Sequence, residues 1–221
     1  MSDTLTLAID ASTYLGTVAV LRGAEILAEG EAAMRGEREE RLMPAVADAL
    51  RAAGIEPSRL ARVVCGGGPG SFTSLRIAGS IAKGLCLAHA VPLFAAPSLA
   101  LMVPDDRRAL EAGRWLAVLD AMRGDVYTSE LEIDAAGRVI TASVVRLTPR
   151  AELGAMNDGH VLGRIGPAEG RVAAPRAIAV GALNPALVAP VSLATWEPAY
   201  GRLAEAQVKW EAAHGRALAP G

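Results

Sequence analysis

Short apolar runs broken by turn residues dominate the first third of the chain. Residues 4–12 (TLTLAIDAS) form an apolar strand closed by Asp10 and Ser12. Two more strands follow at 15–23 and 25–34, separated by an RGAE turn at 22–25, so a three-stranded antiparallel meander is predicted. After a charged stretch at 35–42, Leu42, Val46, Leu50 and Ala53 recur at helical spacing and Gly54 supplies the stop. Pro44 fits best in the first turn of that helix, where its missing N–H is harmless, or else it marks a kink. A buried strand at 61–68 then runs into a long helical pattern from Ser71 to His89, and VPLFAAPS (91–98) reads as another short strand before a brief helix up to Pro104.

The second half opens as the first does. Residues 115–121 are apolar and end on Asp120 and a turn, and 125–134 and 138–147 alternate like hairpin strands. HVLG (160–163) and AIAV (177–180) are predicted as short strands, and Arg202–His214 as an amphipathic helix. The repeated order of strand, Asp-turn, strand, strand predicts two related lobes, 1–104 and 105–221, with the last helix free to pack on either.

Composition narrows the function classes. A formal net charge of −2 argues against a chain that grips nucleic acid alone. Cys65 and Cys86 lack CxxC spacing and a histidine neighbour, which disfavours zinc and predicts buried, reduced thiols. The opening MSDTLTLAID has no basic n-region or long apolar core, and no stretch is long and apolar enough to span a bilayer, so a cytoplasmic protein without membrane attachment is expected.

The glycine stretch CGGGPGSFTSLRIA (65–78) raises the main chemical question. It has no lysine near Gly70 for a P-loop, lacks the third glycine of a dinucleotide fingerprint, and does not form a GxSxG elbow. A structural joint explains it better: Gly66 to Gly68 would take positive φ, Pro69–Gly70 would turn the chain, and the Ser71 hydroxyl would cap the following helix. On that helix Ser74, Ala78, Ala82 and Cys86 make one small-residue stripe, and Ser80, Gly84 and Ala88 make another. Either stripe would let a second backbone approach closely, from this chain or from another.

GGGPGSFTSLRIA resembles the GxGPGSFTGxRxG signature of the TsaB family of tRNA threonylcarbamoyladenosine biosynthesis proteins. LAIDAS, RLMPAVADAL (41–50), LDAMRGDVY (119–127) and EPAYGR (197–202) resemble further family segments in the same order. Ser74 and Ala78 replace signature glycines, Arg38 stands where a histidine often precedes the helix, and Met122 replaces an arginine. The resemblance implies an α/β fold of the actin/Hsp70/sugar-kinase (ASKHA) type, each lobe opening with a three-stranded meander. It also implies a scaffold with no catalytic residue or metal site of its own, paired with the catalytic paralogue TsaD and served by the ATPase TsaE. ATP and a divalent metal would then sit on those partners, and tRNA would be met through the complex.

The implied partner interface is Leu42, Val46, Leu50, Ser74, Leu75, Ala78, Ala82 and Cys86, and Gly68, Pro69, Gly70, Ser71, Phe72, Thr73 and Arg76 form the structural signature. Alone, the same helix face could meet its own copy in a homodimer. Asp10, Ser12 and Asp120 mark where a vestigial nucleotide site would lie, with turn capping as the competing role of both aspartates. Two other functions remain open. A small-molecule kinase or ATPase would use Asp10 and Asp120 on a metal, although the turns after them are poor in glycine. A direct tRNA module would use Arg202, Lys209, Trp210 and Arg216.

Overall fold

The computed structural model describes residues 3–36, 40–155, 160–164, 170–202 and 213–215. The first lobe is built on β1 (Leu5–Asp10), β2 (Leu15–Arg22), β3 (Glu25–Ala33), α1 (Leu42–Ala53), β4 (Arg62–Gly66), α2 (Phe72–His89) and β5 (Leu93–Ala96). β1, β2 and β3 form the antiparallel meander, and β4 and β5 add in parallel beyond β1. The second lobe follows a short strand β6 (Met102–Pro104) and comprises β7 (Gly113–Asp120), β8 (Asp125–Ile133), β9 (Val139–Ala142), β10 (Arg146–Pro149) and β11 (Val161–Leu162). β7 pairs with β8 antiparallel and with β11 in parallel, as β1 pairs with β2 and β4. This is the two-lobed α/β architecture of the ASKHA type.

Side chains alternate across the first sheet and divide the interior in two. Leu7, Ile9, Val18, Val20, Val63 and Cys65 face α1 and α2. Ala8, Ala19, Leu21 and Val64 face the other way, toward Trp115, Ala117 and Tyr127 of the second lobe, so the two sheets share a core. Small alanines on that side bring the lobes close. α1 begins where Glu40 accepts from the Leu42 and Met43 amides, and it ends at Gly54 with φ +67°. Pro44 stands in its first turn, as the sequence predicts.

The chain then crosses back. β12 (Ala173–Pro175) pairs with β6, and β13 (Ala189–Pro190) forms the edge of the first sheet beside β5. Between them Ala177–Ala182 is a 3-10 helix, not the predicted strand, and its Ala177 amide donates to the buried Thr17 hydroxyl. The single strand expected over 138–147 is split as well. β8 pairs Leu131 with Ala142 but Thr128 with Arg146, so one extra residue bulges between β9 and β10. The expected helix at 202–214 lies mostly outside the described residues, with Lys209 and Trp210; Arg38 and Arg216 also lie outside them. Among the described residues no helix is long and apolar enough to cross a membrane.

Candidate functional site

The glycine signature is a junction of four segments. The Gly67 amide donates to Ala96 O, Gly68 N–H to the Ser98 hydroxyl, and Ser71 N–H to Ser12 O. In return Gly67 O accepts from Ala199 and Gly68 O from Ser98. A Cβ at Gly70 would lie 2.1 Å from Ser12 O, and one at Gly68 would lie 2.2 Å from Ala199 O, so neither position admits a side chain. Only Gly68 of the three leading glycines has positive φ, at +86°; Gly66 instead makes room for the Asp10 carboxylate, 1.9 Å from where its Cβ would stand. Ser71 sits at the N-cap position of α2, but its hydroxyl pairs with Ser74 Oγ at 2.8 Å and not with a helix amide.

Asp10 is the buried centre of this junction. Its Oδ1 accepts from the Ser12 amide and hydroxyl at 3.0 and 2.7 Å, and its Oδ2 accepts from Ser98 Oγ at 2.6 Å. Burial pushes its carboxyl above the usual carboxylate range, and the hydrogen bonds from Ser98 and Ser12 only partly offset that. A carboxyl raised in the folded state stabilises the fold most below its unfolded value, and that contribution is lost as pH rises through the folded value. Asp10→Asn keeps the shape and cannot ionise. Its stability relative to wild type should therefore rise between about pH 4 and about pH 7, as read from urea midpoints. A constant difference across that range would contradict the burial effect.

The EPAYGR segment closes the junction from the far side. Tyr200 packs on Phe72 in a tilted pair with ring centroids 4.5 Å apart, and the Arg76 guanidinium lies 4.4 Å from the Phe72 ring centre. Tyr127 OH donates to Tyr200 O, Gly201 lies where a Cβ would strike the Tyr127 ring, and Arg202 pairs with Asp125. This strap joins α2 of the first lobe to β8 of the second. Ser98, and the partners of Tyr200 and Arg202 within the EPAYGR segment, escape a reading of the sequence alone, because each contact joins residues far apart in the chain.

A cleft of about 1240 Å³ opens between the lobes beside the junction. Ser12, Gly70, Ser71, Phe72, Thr73 and Ser74 line it from the first lobe and Asp120 from the second. Asp10 does not line it. Asp120 is exposed, accepts from the Met122 amide, and has Arg150 at 4.0 Å. The two aspartates are thus not brought together: one is committed to the interior and one faces solvent. Among the described residues no group of three or more His, Cys, Asp or Glu is placed to hold a metal.

The expected interface residues require correction. Leu42, Val46, Leu50, Ser74, Leu75, Ala78, Ala82 and Cys86 are all buried within the chain, most of them against the first sheet. The small-residue stripe lets α2 sit close on β4, so it faces inward. The outward side of α2 carries Arg76, Ser80, Gly84 and Leu87, and α1 exposes Met43. Cys65 and Cys86 are free, buried thiols, and burial pushes Cys86 up to about 11.

The family model TsaD, tRNA N6-adenosine threonylcarbamoyltransferase, matches residues 32–164. TsaB of Escherichia coli K12 is 36% identical over 131 residues, 59% of this chain and 56% of that protein. TsaB of Bacillus subtilis 168 is 35% identical over 122 residues, 55% of this chain and 52% of its own. The chain belongs to the TsaB/YeaZ family. It spans about half the length of the curated relatives it matches. A crystal structure of an uncharacterized Pseudomonas aeruginosa protein with similarity to peptidase YeaZ superposes with a TM-score of 0.74 at 26% identity, covering 90% of this chain and 100% of that one. YeaZ from Pseudomonas aeruginosa gives 0.67 at 26% identity over 80% of this chain and 88% of its own. The TsaB/YeaZ signature here is therefore the four-way junction described above.

Proposed function

We propose that this chain acts in the biosynthesis of threonylcarbamoyladenosine in tRNA as a non-catalytic scaffold that pairs with a TsaD-like paralogue. The names of its relatives support the pathway. The observation that carries the scaffold role is the use of the signature: the amides of Gly67, Gly68 and Ser71 are spent on internal acceptors, and Asp10 is spent on Ser12 and Ser98. In this reading ATP and a divalent metal belong to the paralogue and to a TsaE-like ATPase, and tRNA is met through the complex. A kinase would need both aspartates turned toward a metal, and only Asp120 borders the cleft. A separate tRNA module would rest on Arg202, which is already paired with Asp125.

The docking face in this reading is the outer side of α1 and α2. Leu87 is 80% exposed and Met43 is 40% exposed, and a Cβ at Gly84 would meet nothing within 4 Å. Reconstitution tests the role. Supplied with tRNA, ATP and an activated threonylcarbamoyl donor, the purified TsaD-like paralogue and TsaE-like ATPase from the same cell should form the modified nucleoside only when this chain is added. Equal yield without it would overturn the scaffold role.

A further inference from the structure

The two lobes are tied together in two ways. The first is the core they share, where Ala8, Ala19, Leu21 and Val64 of the first sheet meet Trp115, Ala117, Tyr127 and Leu131 of the second. The segments that cross between the lobes are pinned to the first sheet as well. The Ala177 amide donates to Thr17 Oγ1 at 3.0 Å, Arg107 pairs with Glu29, and Arg176 pairs with Glu31. Lobes move on one another by default unless their interface is large and apolar. A shared core slows that motion, yet it can still serve as the pivot of a rotation.

The second tie is the strap at 197–202, which grips both lobes at once. Toward the first lobe, the Ala199 amide donates to Gly67 O at 2.8 Å, Tyr200 packs on Phe72, and Arg76 Nε donates to Tyr200 OH at 3.3 Å. Toward the second, Tyr200 O accepts from Tyr127 OH, and Arg202 and Asp125 form a mostly buried ion pair. Gly201 is where the two sets of contacts meet. Its φ is +76°, and a Cβ there would lie 2.6 Å from the Tyr127 ring and 2.8 Å from Pro69 Cβ. The strap backbone is thus wedged between the signature of one lobe and β8 of the other, at a position that favours glycine on both counts. Phe72, Tyr127, Tyr200 and Arg202 all border the inter-lobe cleft. Widening or narrowing that cleft must therefore part the strap from one lobe or the other.

We propose that the strap is a latch, with Gly201 as its keystone, that holds the two lobes at a single cleft opening. Hinge rotations of lobes run on microseconds to milliseconds, and the latch removes that class of motion. It also fixes α1 and α2 at one angle to the second lobe, so the chain meets any partner as one preformed body. The inference goes beyond the scaffold reading and does not depend on it.

Distances between spin labels on the full chain test it. Cysteines replacing Arg51 on α1 and Val144 in the second lobe would be exposed, whereas Cys65 and Cys86 are buried and stay unlabelled. Pulsed dipolar spectroscopy of this pair should give one distance in the otherwise wild-type chain. Gly201→Val, which drives a side chain against Tyr127 and Pro69, should add a second distance displaced by more than about 2 Å. Tyr200→Ala deletes the packing on Phe72 without forcing a clash and should do the same. A label pair within the first lobe, at Arg51 and the exposed Glu25, should read alike in all three chains, which separates release of the latch from unfolding. Two inter-lobe distances in the wild-type background would overturn the proposal. So would the lack of any strap variant that gains a second inter-lobe distance while keeping the within-lobe one.

Discussion

Ala78→Trp is expected to abolish the folded state, whereas Gly84→Trp, on the same helix, leaves it intact. Ala78 has no exposed surface and lies in the core formed by α1, α2 and the first sheet. Even one or two surplus methylenes in a packed core cost about 1–3 kcal/mol. An indole needs many times that space, and the whole fold is worth only about 5–15 kcal/mol. Ala82, also fully buried, should behave in the same way. At Gly84 a side chain would point into open solvent, and replacing a helical glycine is itself mildly favourable. Circular dichroism and thermal melts of the two tryptophan variants read the contrast. Ala78→Trp folding normally would mean that the small stripe is turned outward after all.

Ser98→Ala is the second large effect. Its hydroxyl donates to Asp10 Oδ2 at 2.6 Å and accepts from Gly68 N–H at 3.0 Å, all within the interior. Removing it strands a donor and a carboxylate oxygen together. Each stranded buried group costs about 1–3 kcal/mol, so a loss of about 2–5 kcal/mol is expected in chemical denaturation. Ser98→Thr keeps the hydroxyl and should recover the hydrogen bonds, less whatever its extra methyl costs in a site with no exposed surface. A loss below about 0.5 kcal/mol for Ser98→Ala would place the junction's stability elsewhere.

These two positions also show what the sequence can and cannot say. The meander, both Asp-turns and the two long helices follow from period and punctuation, and the structure places β1, β2, α1 and α2 within a residue or two of those expectations. The direction of the α2 stripe does not follow. Ile77, Ile81 and Leu85 flank it half-buried and Leu87 stands exposed, so apolar residues surround the helix and periodicity cannot choose the buried side. Packing chooses it: the side with the smallest residues approaches β4 most closely. Ser98 reads locally as the end of a strand, since its partners Asp10 and Gly68 are 88 and 30 residues away. The bulge between β9 and β10 is likewise decided across strands, where Ser143 bonds to Ser129 and Glu130. Arg35, Arg123, Arg164 and Arg202, which border the inter-lobe cleft, come from four separate segments, and only the fold unites them.

The central claim is that the outer face of the two helices docks a paralogue. Light-scattering mass on a sizing column, for this chain mixed with the TsaD-like protein of the same cell, tests it most directly. A mixed species is predicted for the wild-type chain, lost in the folded Gly84→Trp variant. Two proteins that elute unchanged, or a mixed species that Gly84→Trp leaves intact, would contradict it.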